Sequence, residues 1–113
     1  MSPSQFEALL NQHHEEILCL FRTKGAEYAC QDNDCLANFK ESGEEVGVNP
    51  ETALYFALNK HLRSIRTFLQ DRQLGQTRAL SEPISGRIRD AQLYLSFLEA
   101  LVIESERRGS NGV

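Results

Sequence analysis

Residues 50–72 read PETALYFALNKHLRSIRTFLQDR, and the spacing within this stretch decides the fold. Ala53, Leu54, Ala57, Leu58, His61, Leu62, Ile65, Phe68 and Leu69 recur at steps of three and four, the period of a helix with one buried face. Asn49 is placed to cap this helix. Pro50 takes its first turn, where a missing N–H costs nothing. The seam is apolar except at His61, and Lys60 and Ser64 stand beside it. A polar ring on such a face needs a partner.

Toward the N-terminus, Ser2-Pro3-Ser4-Gln5 combines a cap, a first-turn proline and a capping-box glutamine. Phe6, Leu9, Leu10, His13, Ile17, Leu20 and Phe21 then follow the helical period, and Gly25 is expected to stop this helix after Lys24. GAEYACQDNDC reads as a loop with Glu27 and Tyr28 near its start. Asp34 reads as the cap of a short helix, CLANFKESGEEVG, with Leu36, Phe39 and Val46 inward and Gly47 as its stop.

Beyond the central stretch lies a polar connector, QLGQTRALSEP, in which Ser81 and Pro83 start a last helix. Ile84, Ile88, Ala91, Leu95, Leu98 and Val102 form its stripe, and Leu101 and Ile103 widen the apolar surface enough to suggest a second subunit. The tail RRGSNGV is expected to fray. Strand-like alternation is missing. The expectation is an all-α chain of three long helices and one short one. It forms a single domain over 1–108 with a disordered tail at 109–113. Its helical bundle is completed by oligomerisation, a dimer first.

With 113 residues the chain has room for one modest core. A net charge of −4 argues against general nucleic-acid binding, which needs a basic surface, but leaves room for a local anion pocket. No apolar run reaches the length of a membrane span, and no secretion signal opens the chain, so a soluble cytoplasmic protein is expected. Cys19, Cys30 and Cys35 are odd in number and contain no C-x-x-C pair. Cys19 reads as core. Cys30 and Cys35 with His13 or His14 are conceivable zinc ligands, but the spacing of structural zinc sites is absent, which favours two small half-buried residues.

Helical spacing sorts the remaining polar residues. Arg87, Asp90, Tyr94 and Phe97 fall on one strip of the last helix beside its apolar seam, and Lys60 and Ser64 make an equivalent strip next to His61. Two antiparallel helices packed on their seams bring these strips together. The result is a cleft with Lys60, His61 and Arg87 as donors, Asp90 as acceptor and Tyr94 as a flat surface. Glu27, Tyr28, Asp34 and Asn38 are lid candidates. Each has a plainer reading: His61 as a satisfied core histidine, Arg87 and Asp90 as a surface ion pair, Lys60 and Ser64 in solvent, Glu27 and Asp34 as turn and cap residues. His13-His14-Glu15-Glu16 reads as a solvated face, since adjacent residues point apart.

The motifs KGAEY (24–28), DCLANFK (34–40), NKHLRSI (59–65) and EPISGRIRDAQLYL (82–95) resemble a small phage and prophage family. That family lies near the MazG-like all-α nucleoside triphosphate pyrophosphohydrolases and the phage nucleotide-modification-associated domains. The resemblance spans Lys24 to Glu104. Hydrolases of this group hold magnesium with EExxE and ExxD motifs. The second aligns with Arg87 to Asp90, where Asp is kept and Arg replaces Glu, while Lys60, His61 and Ser64 stand where the first motif has acids. Magnesium wants oxygen ligands, and at an effective dielectric near 20 two unit charges 4 Å apart interact by about 4 kcal/mol. The substitutions therefore favour holding phosphate directly, with no metal or other cofactor. The resemblance implies a phage-encoded binder of a nucleotide-like phosphorylated ligand, acting in the host cytoplasm, with sequestration of a host-defence nucleotide signal as its use. Two alternatives stand beside it: a pyrophosphohydrolase with metal held by Glu27, Asp34, His61 and Asp90, and an acidic inhibitor of a host defence complex.

Overall fold

The computed structural model describes residues 1–28, 34–76 and 83–111, with backbone only at 25–28 and 110–111. The described residues form four helices: α1 (Pro3–Tyr28), α2 (Ala37–Val46), α3 (Pro50–Gln73) and α4 (Ile84–Asn111). Among the described residues there is no strand, and the all-α expectation of three long helices and one short one holds. α4 runs on past Arg108, where the sequence places the start of a tail. Among the described residues no helix is long and apolar enough to cross a membrane.

Local chemistry sets most of the boundaries. Ser2 N–H donates to Gln5 Oε1 at 2.7 Å and Gln5 N–H returns the bond to Ser2 Oγ at 3.2 Å, a reciprocal capping box. Asn49 Oδ1 accepts from Thr52 N–H at 2.9 Å ahead of Pro50. Asp34 Oδ1 accepts from Leu36 N–H at 3.0 Å, so it closes the turn that leads into α2, and the helix proper begins three residues later. At the other end of α2, Gly47 adopts φ 75° and Val48 N–H donates to Gly43 O at 2.9 Å. This return brings backbone close to Gly43: a Cβ there would stand 2.7 Å from Val48 O. Gly43→Ala is accordingly expected to destabilise the fold by about 1–3 kcal/mol despite alanine's better helix propensity, read as a lower urea midpoint.

α3 and α4 run antiparallel, because Ser64 meets Arg87 while His61 meets Tyr94. α2 packs on α3, and α1 lies against α4. The core is Leu36 and Phe39 from α2 and the turn before it, Leu54 and Leu58 from α3, and Ala91, Leu93, Phe97 and Leu101 from α4. Ile17, Leu20 and Phe21 of α1 pack onto it.

Several positions differ from the sequence expectation. α1 passes through Gly25 and continues to Tyr28. A glycine within a helix costs only about 1 kcal/mol, and the Ala26-Glu27 that follows favours helix. Glu27 and Tyr28 therefore belong to the last turn of α1, not to a loop, and their side chains lie outside the described residues, as does Cys30. Cys19 is exposed, not core, since it sits about 200° around α1 from Ile17. Val46 is 69 % exposed: it shares a face with Phe39 but lies beyond the last packed turn. On α3, Leu62 and Leu69 are exposed at the edge of the seam. The largest difference is in α4. Its inner face is Leu93, Phe97 and Leu101, while Ile88, Leu95 and Val102 of the expected stripe are exposed. Phe97, expected on the polar strip, is core. The helix is apolar on two faces, and spacing alone does not choose between them.

Candidate functional site

The seam between α3 and α4 collects the polar residues that the core does not absorb. Leu54, Leu58 and Ile65 fix the rotation of α3, and this places His61 and Ser64 on the side toward α4. Leu93, Phe97 and Leu101 fix α4, and this turns Tyr94 and Arg87 along the same seam. The His61 ring lies 4.8 Å from the Tyr94 ring at a 40° tilt. Tyr94 rests in turn on Phe39 and Phe97, at 5.9 and 6.3 Å, so the imidazole continues an aromatic cluster rooted in the core. Further along, the Arg87 guanidinium donates through Nη1 to Ser64 Oγ.

Asp90 faces α1. Lys24 Nζ stands 3.7 Å from its carboxylate, which is 15 % exposed. Lys24 escaped the candidate set, although KGAEY contains it; the signal was that a carboxylate beside a core needs a cation. Arg89 donates through Nε to Glu16 at 2.6 Å and through Nη1 to Gln92 at 2.6 Å, which ties α1 to α4 a turn away. Glu16 therefore does more than face solvent. Between α1 and α4 runs a groove of about 670 Å³, lined by Leu9, Leu20, Thr23, Lys24, Ser85 and Asp90 among others. This volume lies within the usual span of small-molecule pockets.

The other candidates fall elsewhere. Lys60 is exposed and makes no hydrogen bond or ion pair among the described residues, although Ser64, one turn on along the same strip, meets Arg87. Asn38 lies on the exposed side of α2. Both oxygens of Asp34 are engaged: Oδ1 by Leu36 N–H and Oδ2 by Lys40 Nζ at 2.6 Å. Lys40 also reaches Glu104 on α4 at 3.1 Å, so this network fastens α2 to α4. The seam thus gathers His61, Ser64, Arg87 and Tyr94, while Asp90 faces α1 and Lys60 is exposed.

Charge pairing shifts three groups. The Lys40 hydrogen bond, then the Leu36 amide, hold the Asp34 carboxyl below its ordinary value of 3.8. Arg89, then Gln12, do the same for Glu16 below 4.5. Asp34 in turn raises Lys40. A depressed carboxyl contributes stability that is full above its unfolded value and is lost as pH falls through the folded one. Urea midpoints are expected to decline below about pH 4.5, and Asp34→Asn should flatten that acid limb; an unchanged limb would show the pair to be too solvent-screened to matter.

Among the described residues no group of three or more His, Cys, Asp or Glu side chains is placed to hold a metal ion. Compared with known protein families, characterised proteins and solved structures, the chain finds no match in any of the three.

Proposed function

We propose that this chain binds a nucleotide-like phosphorylated ligand at the α3–α4 seam through its own side chains, without hydrolysing it. The observation that supports this reading most is the meeting of Ser64 with Arg87 on the seam that also sets His61 against Tyr94. A planar guanidinium beside a hydroxyl offers donors in the fork geometry that suits phosphate oxygens. The His61–Tyr94 pair, half-buried and supported by Phe39, supplies a rigid aromatic edge for a base. Asp90 and the groove beside it offer an acceptor and space for the rest of the ligand. The donor set here is basic where a two-carboxylate magnesium site would be acidic, which favours holding a phosphate over activating water against it. In a phage setting, which rests on the sequence resemblance alone, such a binder would sequester a nucleotide signal of host defence.

Isothermal titration of the folded chain with linear and cyclic nucleotides, in buffer free of divalent ions, tests the reading. Saturable heat from at least one of them is expected, and none from any would remove the idea. Pyrophosphate release from nucleoside triphosphates with magnesium or manganese, lost in Asp90→Ala, would instead support the hydrolase alternative.

A further inference from the structure

Between Thr52 and Gln70, helix α3 carries three cations, Lys60, Arg63 and Arg66, and no acid, in a chain whose net charge is −4. Leu54, Leu58 and Ile65 hold the other side of the helix to the fold, and all three cations are exposed. Lys24, Lys40, Arg87 and Arg89 each find a partner within the chain. Lys60, Arg63 and Arg66 make no side-chain hydrogen bond or ion pair among the described residues. The positions one turn away, where an acid would neutralise them, hold Phe56, Asn59, Ser64, Thr67 and Gln70 instead. The cations themselves stand three residues apart, a spacing at which like charges repel and weaken the helix. A face kept only for solubility gains nothing from that repulsion.

Two rings complete the face. Tyr55 is 53 % and Phe56 63 % exposed, with ring centroids 6.4 Å apart at 60°. Phe56, Lys60, Arg63, Thr67 and Gln70 follow one another by four, three, four and three residues, one strip of about 21 Å along the helix. We propose that this outer face of α3 binds single-stranded nucleic acid, with its cations on the phosphates and its rings against the bases.

Charge makes the partner anionic, and the rings decide its class. Every base has a flat face to lay on Tyr55 or Phe56, and stacking beside a cationic track is how single strands are held without regard to sequence. An acidic peptide supplies the charge but no such surfaces. The order of residues disfavours an anionic membrane. A helix lying on a bilayer turns an apolar face inward and keeps its cations on the polar side. Here Arg63 stands among Asn59, Thr67 and Gln70 at the centre of the face, and Leu62 and Leu69 lie on one flank only. The net charge of −4 argues against nucleic-acid contact by the surface as a whole, and the acid-free strip is a local exception to it. The inference does not rest on the nucleotide reading of the α3–α4 seam, because the strip contains none of the four residues gathered there.

Fluorescence anisotropy of a short labelled oligothymidylate without a terminal phosphate, titrated with the full chain, tests it. Saturable binding is expected. Its logarithm should fall against the logarithm of salt with a slope of roughly −2, from three phosphates at ~0.7 each. Arg63→Ala should flatten that slope by roughly 0.7. Phe56→Ala should weaken binding by roughly 5- to 150-fold with the slope unchanged, the worth of one stacked base. Arg22→Ala, at an exposed cation of α1, should alter neither. No saturable binding by the folded parent, equal losses from Arg22→Ala and Arg63→Ala, or a Phe56→Ala variant that binds as the parent does would each overturn the inference. So would tighter binding of polyglutamate or of phosphatidylserine vesicles than of the oligonucleotide at equal charge concentration, which would assign the face to an acidic protein or to a membrane.

Discussion

Leu101→Ala and Leu54→Ala are each expected to lower the unfolding free energy by about 2–5 kcal/mol. Both side chains are 0 % exposed within the core cluster to which helices α3 and α4 contribute. Truncation removes buried methyl groups and leaves a cavity that rigid helix backbones cannot fill. Against a total of about 5–15 kcal/mol for a small domain, either loss is a large fraction. Leu69→Ala, by contrast, should change stability by no more than about 0.5 kcal/mol, since Leu69 is 58 % exposed. Urea midpoints for the three variants check the rotation of both helices. If Leu69→Ala cost as much as Leu101→Ala, the seam would have been assigned to the wrong face.

Removing the guanidinium is the other large change. Arg87→Ala is expected to weaken nucleotide binding by roughly 10- to 100-fold, the equivalent of one charge-assisted hydrogen bond of about 1.5–3 kcal/mol. Lys60→Ala should weaken it by a few-fold at most, because Lys60 is exposed and acts only as a distant, screened charge. The contrast separates a built site from general attraction of an anion to positive charge: equal losses from both variants would favour the latter. Circular dichroism on Arg87→Ala is needed alongside, since the side chain also bridges to Ser64 of the neighbouring helix.

Helix content and ends were largely legible because their causes are local. The Ser2–Gln5 box, the Asn49 cap with Pro50, and the left-handed Gly47 are each decided within four residues. What periodicity did not decide was which of two apolar faces of α4 turns inward. Leu93, Phe97 and Leu101 win because they meet Phe39, Leu54 and Leu58, and that is a property of the partners, absent from the α4 sequence itself. The same limit explains the site. Arg87 and Tyr94 were placed on one strip by spacing and both meet α3, but Asp90 of the same strip faces Lys24 of α1, and Lys60, set on a strip with Ser64 four residues on, is exposed where Ser64 meets Arg87. Lys24 and the Glu16–Arg89 bridge were missed because α1 contacts α4 across more than sixty residues of chain, a distance over which spacing carries no information.

The central claim is that cationic, hydroxyl and aromatic groups from α3 and α4 meet to hold a phosphorylated ligand without a metal. Amide NMR spectra recorded during titration with the nucleotide that gives the strongest heat, in metal-free buffer, test it most directly. Shifts concentrated at residues 60–65 and 87–94 are the predicted result. Shifts confined to other parts of the chain, or appearing only once magnesium is supplied, would contradict it.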